Sequence, residues 1–544
     1  MVALRDNSAA PRPTPSSVVA ETRRMVARWE AATAMLLANP PTVEASIGLA
    51  RMLPVWLRWR THPVGALIAA AARHPQRTAI IDDEGSLTFA EVDERSNALA
   101  RTWEALGIGP DTTVGVLCRD GRLFFDAATA TQKLGANLVY VNAAFSPPQV
   151  AAVVEDEGIE LLVHDASLAS AVADARPRIV LGEDALRAAV QSSDRRPLEP
   201  PARAGRIVVL TSGTTGRPKG AVRQGSAKAM DGAALLASLP VMANDTTVIA
   251  APLFHGFGLM GANLALALNS TIVLRSRFDP ERVLADIAAN RAATLVGVPV
   301  MLQRLLALPT RVTDMYDVSS LRVVLCGGAA LSGELANRFM DRFGDVLYNV
   351  YGSTESGFAT VANPRDLRKA PGTAGRVTPG VVVRIADERG APVRAGVSGR
   401  VLVGSALRMD GYTGGGGKEI VDGLVVTGDV GHVDRWGRLF VEGREDDMII
   451  SGGENVFPAE VEDVLATYPG VAEAAVIGVE DAEFGQRLKA FVVRTEGSRV
   501  TAEELKQHVH DRLARFKTPR DVEFLDELPR NGTGKVLKRE LRAL

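Results

Sequence analysis

The chain has 544 residues, with 62 Lys and Arg against 64 Asp and Glu and a formal net charge of -2. Balanced charge gives no global field to draw a polyanion, which argues against nucleic acid as the main partner. The length exceeds what one compact core serves, so at least two domains with room for a deep pocket are expected.

Cys118 and Cys326 each close an apolar run and read as buried, reduced thiols. They form neither a disulfide framework nor a Cys/His zinc cluster. Met1 to Val18 is polar and proline-bearing without a signal-peptide core, and no later run is long enough to span a bilayer, so a cytoplasmic enzyme is expected.

Residues 1 to about 20 read as disordered, with Pro11, Pro13 and Pro15 among polar neighbours. Residues 45–60 then mix Ile47, Leu49, Met52, Trp56 and Trp59 with Arg51, Arg58 and Arg60. A basic, Trp-bearing amphipathic segment can make peripheral contact with a membrane, although packing on its own domain is the favoured reading.

Thr88 to Glu91 spells a capping box, and Val92, Leu99, Trp103 and Leu106 continue one apolar face, so a helix runs to about Gly107. V-G-V-L-C up to Cys118 reads as a strand, followed by a helix to Gly135, a strand at Leu138 to Val141, a helix at Ser146 to Glu157 and a strand at Ile159 to Val163. That alternation predicts a doubly wound α/β sheet with ligands at the carboxyl ends of its strands. Ala173 to Arg206, rich in Arg, Asp, Ser and Pro, reads as a surface connection.

A second alternating unit runs from Pro280 through Leu295 to Leu302 and on to Leu325, and beyond Val381 short strands with Gly-rich turns predict a β-rich subdomain. The charged run Glu442 to Asp447 lies between apolar stretches and reads as a hinge. About a hundred alternating residues follow it, the size of a small domain. The expected division is an N-terminal extension at 1–60, a large α/β domain at 61–445 and a small mobile α+β domain at 446–544.

The stretch that points to chemistry is T-S-G-T-T-G-R-P-K-G, Thr211 to Gly220, directly after the apolar run Ile207 to Leu210. A β-branched run ending in glycines reads as a buried strand feeding a loop whose backbone can approach a ligand closely. Backbone N–H groups around Gly213 and Gly216, the hydroxyls of Ser212, Thr214 and Thr215, and the Lys219 ammonium together suit phosphate oxygens. The Walker loop is excluded, because Gly216 is followed by Arg217-Pro218-Lys219-Gly220 instead of Lys-Ser/Thr.

Four further motifs follow in register: Y-G-S-T-E at Tyr351 to Glu355, V-T-G-D ending at Asp429, G-R-E-D-D at Gly443 to Asp447, and P-R-N-G-T-G-K ending at Lys535. With these the chain, from about residue 75 to its end, resembles the acyl-adenylate-forming family of acyl-CoA synthetases, nonribosomal adenylation domains and beetle luciferases. The resemblance implies that Tyr351 and Gly352 contact adenine, that Thr354 meets the α-phosphate, and that Glu355 is the oxygen ligand of Mg²⁺. Gly327, Gly328 and Ala329 resemble the backbone wall against adenine, and Asp429 with Arg444 the ribose contacts.

Lys535 resembles the lysine whose ammonium stabilises charge developing on the α-phosphate during adenylation. A swing of the small domain about Asp446 would then exchange Lys535 for Ser451 to Glu454, where Gly452 and Gly453 admit a pantetheine arm. His255, in P-L-F-H-G-F-G, resembles the histidine beside the substrate carboxylate. Amino-acid-activating relatives carry an aspartate in this motif, whereas Phe254, Phe257 and Gly258 would leave a substrate ammonium unpaired.

Uncharged walls at Phe257 to Leu264, Gly297 to Leu302 and Gly357 to Thr360 suit an apolar acid. The expectation is an ATP-dependent, Mg²⁺-requiring fatty-acid–CoA ligase acting through acyl-AMP on medium- or long-chain acids, as monomer or homodimer. The alternatives are loading of a carrier-protein pantetheine, an aryl acid in place of the fatty acid, and a non-catalytic nucleotide or acyl sensor.

Overall fold

The computed structural model describes residues 55, 57–59, 62–192, 194–211, 219–224, 235–451, 454–481, 484–531 and 534–544. Phe89–Ala105 is the predicted capping-box helix: the Thr88 side chain accepts from the Glu91 backbone N–H, and the Glu91 carboxylate reaches back to Thr88. Its apolar face, with Phe89, Val92, Leu99 and Trp103 inaccessible to solvent, packs into the main core.

Two sheets build the large N-terminal domain. One 7-stranded sheet runs in the order Gly411–Tyr412, Lys219–Gln224, Arg206–Thr211, Asn137–Tyr140, Thr113–Leu117, Leu161–His164 and Ile179–Leu181. Its strands from Arg206–Thr211 to Ile179–Leu181 are parallel neighbours, as alternation with helices requires. In the second sheet, Leu347–Ser353, Val323–Gly327, Thr294–Gly297, Thr246–Ile249, Thr271–Leu274 and Thr78–Asp82 are likewise consecutive and parallel. A five-stranded sheet between Ile449 and Leu525, with its own buried cluster around Val461, Val476, Val492 and Leu505, forms the small C-terminal domain.

One region differs from the sequence reading. Ala173 to Arg206 is more than a surface connection, because it contains the edge strand Ile179–Leu181 and the helix Glu183–Ser192. Leu186, Ala189 and Val190 supply that helix with a buried face against Phe89–Ala105, a periodicity hidden among charged neighbours. The β-rich region expected past Val381 is present, and its strands Val382–Ala386, Gly399–Gly404, Leu424–Val433 and Arg438–Arg444 extend the second sheet, while Gly411–Tyr412 joins the first. The hairpin of Leu347–Ser353 and Gly357–Ala362 turns the ladder antiparallel, and Gly375–Val377 bridges it to Arg438–Arg444.

Of segment 45–60 only residues 55 and 57–59 are described. Trp59 is buried and Val55 packs against the same core, while Leu57 is exposed. Among the described residues no helix is long and apolar enough to cross a membrane.

Candidate active site

Among the described site residues, Thr211, Gly327 and Arg444 end their strands, Tyr351 and Gly352 lie in the last three residues of Leu347–Ser353, and Asp429 lies within Leu424–Val433. Thr211 ends one strand opposite Lys219 in the next, and its hydroxyl donates to the Lys219 carbonyl at 3.1 Å. Ser212, Gly213, Thr214, Thr215 and Gly216 lie outside the described residues, as do Gly452 and Gly453. The Lys219 ammonium lies 5.7 Å from the centre of the Tyr412 ring. Tyr412 in turn donates its hydroxyl to Glu355 Oε1 at 3.1 Å. Burial and the Glu355 carboxylate push the Tyr412 phenol up to about 12.

Beside Glu355, the Thr354 carbonyl accepts from Arg223 Nη2 at 3.1 Å. A Cβ built on Gly256 would lie 3.5 Å from the Thr354 hydroxyl, so the P-L-F-H-G segment runs against this turn. Ser353 and Ser356 clasp the turn, with their hydroxyls 3.0 Å apart. Gly352 has a packing reason of its own: a Cβ there would meet the Gly357 carbonyl at 2.3 Å, closing off the hairpin.

Asp429, Arg444 and Tyr351 form one cluster. Asp429 and Arg444 are partners across adjacent strands, Arg444 Nη1 reaches Asp429 Oδ1 at 3.4 Å, and the Tyr351 hydroxyl donates to Asp429 Oδ2 at 2.5 Å. Burial and that carboxylate drive the Tyr351 phenol well up, so it stays protonated as a donor. Arg444 Nε also donates to Asp446 at 3.0 Å. Burial alone would raise the Asp446 carboxyl, but Arg444, with Lys535 adding, holds it below its ordinary value.

Lys535 is exposed on a loop in which its N–H donates to Asn531 Oδ1 and its carbonyl accepts from the Asn531 N–H, both at 2.9 Å. The loop belongs to the small domain but rests on the large one. A Cβ on Gly534 would lie 2.3 Å from Val300 Cγ1 and 3.9 Å from Val298 Cγ2. Val298 also stands 3.7 Å from the Cβ position of Gly328, whose φ of +79° suits glycine. Gly327 has no room for a side chain, since a Cβ would meet the Phe257 ring at 2.6 Å. Gly327, Gly328, Phe257, Val298, Val300 and the Lys535 loop therefore share one location.

His255 caps the helix Gly256–Ala267, its ring centre 4.6 Å from that of Phe254. Burial lowers its pKa to about 4, and Nε2 is buried without a partner among the described residues. A neutral imidazole with a free ring nitrogen can donate to or accept from a ligand, but at neutral pH it brings no positive charge.

The sequence reading missed three residues here. Arg223 touches Thr354, Tyr412 holds Glu355, and Asp120 Oδ1 accepts from the Leu253 N–H at 3.0 Å. A lone cation after Ala221-Val222 in the strand that follows P-K-G was the available signal for Arg223. Tyr412 and Asp120 sit far along the chain from their partners and gave none.

Residues 67–413 match the AMP-binding enzyme family, and residues 460–535 match the AMP-binding enzyme C-terminal domain. The chain belongs to this adenylate-forming family. A feruloyl-CoA synthase from Amycolatopsis sp is 36% identical over 486 residues, covering 87% of this chain and 97% of that protein. An indoleacetate–CoA ligase from Aromatoleum aromaticum is 32% identical, covering 87% and 96%. Among solved structures, the o-succinylbenzoate CoA synthetase MenE from Bacillus subtilis, in complex with its acyl-adenylate intermediate, superposes with a TM-score of 0.77 at 28% identity, covering 88% of this chain and 97% of that one.

Proposed function

We propose that this member of the AMP-binding enzyme family is an ATP-dependent, AMP-forming acid:CoA ligase for an apolar monocarboxylic acid. The observation that carries the reading is the seating of the Lys535 loop on Val298 and Val300, the wall that Gly328 also adjoins. In that pose the acid carboxylate attacks the α-phosphorus of ATP, the P–O bond to pyrophosphate breaks, and Lys535 stabilises the charge gathering on the phosphoryl oxygens. Tyr351 supplies an aromatic face for adenine, while Asp429 and Arg444 take the ribose hydroxyls.

His255, neutral at working pH, orients the acid through its free ring nitrogen. In the second half-reaction the thiol of CoA attacks the acyl carbon and AMP leaves. Glu355 fits Mg²⁺ as a single hard oxygen ligand, and no group of three or more His, Cys, Asp or Glu suited to a metal occurs among the described residues, so phosphate and water oxygens would complete its shell. When bound, the ion neutralises phosphate charge.

A fatty acyl chain of medium or long length suits the walls, because Phe257, Val298, Val300 and Met301 offer no polar handle. An aryl acid is the second reading, favoured by the names of the feruloyl and indoleacetate relatives. A panel of fatty and aryl acids assayed for CoA-dependent AMP release separates the two. Lys535→Ala should slow acyl-AMP formation at least about a hundredfold while leaving thioester formation from supplied acyl-AMP nearly intact. Acyl-AMP formation at the wild-type rate in that variant would overturn the mechanism.

A further inference from the structure

Arg223 takes no part in the roles above, yet it is built into the site. It lies on Lys219–Gln224 opposite Ile207, and its Nη2 donates to the Thr354 carbonyl at 3.1 Å. Its Nε is buried and has no hydrogen-bond partner among the described residues. Burial pulls the guanidinium pKa down, against the opposing charges of Glu355 and Asp410. A half-buried guanidinium with one hydrogen bond and a buried Nε without a partner among the described residues costs stability, so packing alone does not account for it.

Among the residues around it are Thr354 and Glu355, proposed above for the α-phosphate and Mg²⁺. Glu355 has its main-chain carbonyl held by the Met409 N–H at 2.9 Å and its carboxylate by Tyr412, and Asp410 N–H binds the Val222 carbonyl next to Arg223 at 2.9 Å. One arm of this frame is Arg223 on the Thr354 carbonyl; without it the Thr354–Glu355 peptide loses its only side-chain tether recorded among the described residues.

We infer that Arg223 is a positioning residue for nucleotide activation, which through the Thr354 carbonyl fixes the Thr354 hydroxyl and the Glu355 carboxylate as a pair for the triphosphate and its cation. The inference rests on the phosphate and Mg²⁺ roles proposed for Thr354 and Glu355.

The test is calorimetric binding of α,β-methylene-ATP with Mg²⁺, and of adenosine, to the full-length wild type, Arg223→Met and Arg223→Lys. Arg223→Met should weaken the Mg²⁺-analogue about tenfold or more, the usual scale for losing a residue that orients a metal ligand. Adenosine, which meets only the Tyr351, Asp429 and Arg444 side of the site, should bind within about twofold of wild type, and Arg223→Lys should recover part of the analogue affinity. Equal weakening of both ligands, or an unchanged analogue affinity in Arg223→Met, overturns the inference. Because these titrations need no acid, failure of every acid in the panel would sink the substrate reading without deciding the Arg223 comparison, which its own affinities decide.

Discussion

Around the turn Pro252 to His255, two titratable side chains pull stability in opposite directions with pH. Burial lowers the His255 pKa to about 4, so the unfolded chain binds the extra proton and stability is lost as pH falls from about 6.5 toward 4. The partly buried Asp120 carboxyl is pushed up by burial to about 7, so the folded chain holds the extra proton and stability is lost as pH rises through 7. Asp120→Asn keeps an acceptor for the Leu253 N–H while removing the buried charge. It should raise the melting temperature at pH 8, by a stabilisation of about 1 kcal/mol or more, and change little at pH 4. Thermal melts of both proteins across pH 4 to 8 check this; an equal shift at both ends would mean that burial does not raise the carboxyl's pKa.

At the scale of elements, the Lys535 loop and the segment Val298 to Val300 are coupled by a contact with no slack. A methyl group at Gly534 meets Val300 at 2.3 Å and adds strain at a φ of +78°. The strain alone is worth about 1 kcal/mol. Gly534→Ala should therefore slow pyrophosphate release in a single turnover about tenfold or more, while thioester formation from supplied acyl-AMP stays within a few fold. Adding Val300→Ala should restore the steric part but leave the φ penalty. If the double variant is no faster than Gly534→Ala, the loop does not seat on this wall during adenylation. The helix Phe89–Ala105 was legible because its cap and apolar face are local signals. Glu183–Ser192 was not, because its buried face is shared among charged residues and is visible only against its neighbour.

At the scale of the whole molecule, the small domain docks through the Lys535 loop, and its connection passes through the 3-10 turn Glu445–Asp447. Asp446, the proposed pivot, is also tied to Arg444 at 3.0 Å, so a substitution there removes an ion pair as well as a torsional freedom. Asp446→Pro should spare acyl-AMP formation within a few fold and cut thioester formation at least about tenfold, whereas Asp446→Ala, which loses the ion pair alone, should leave both steps nearly unchanged. Equal losses in both half-reactions of the proline variant would remove Asp446 from the pivot.

The sequence by itself determined the α/β alternation, the order of the motifs and the groups proposed to meet phosphate, adenine and ribose. These depend on local periodicity, turn chemistry and residue type, all of which are written along the chain. Only the tertiary structure decided that Arg223 braces Thr354, that Tyr412 holds Glu355, that Asp120 takes the Leu253 N–H and that Gly534 seats on Val300. Each of those contacts joins residues more than fifty positions apart, and contacts at such range arise from packing of the sheets and domains, which leaves no local pattern to read.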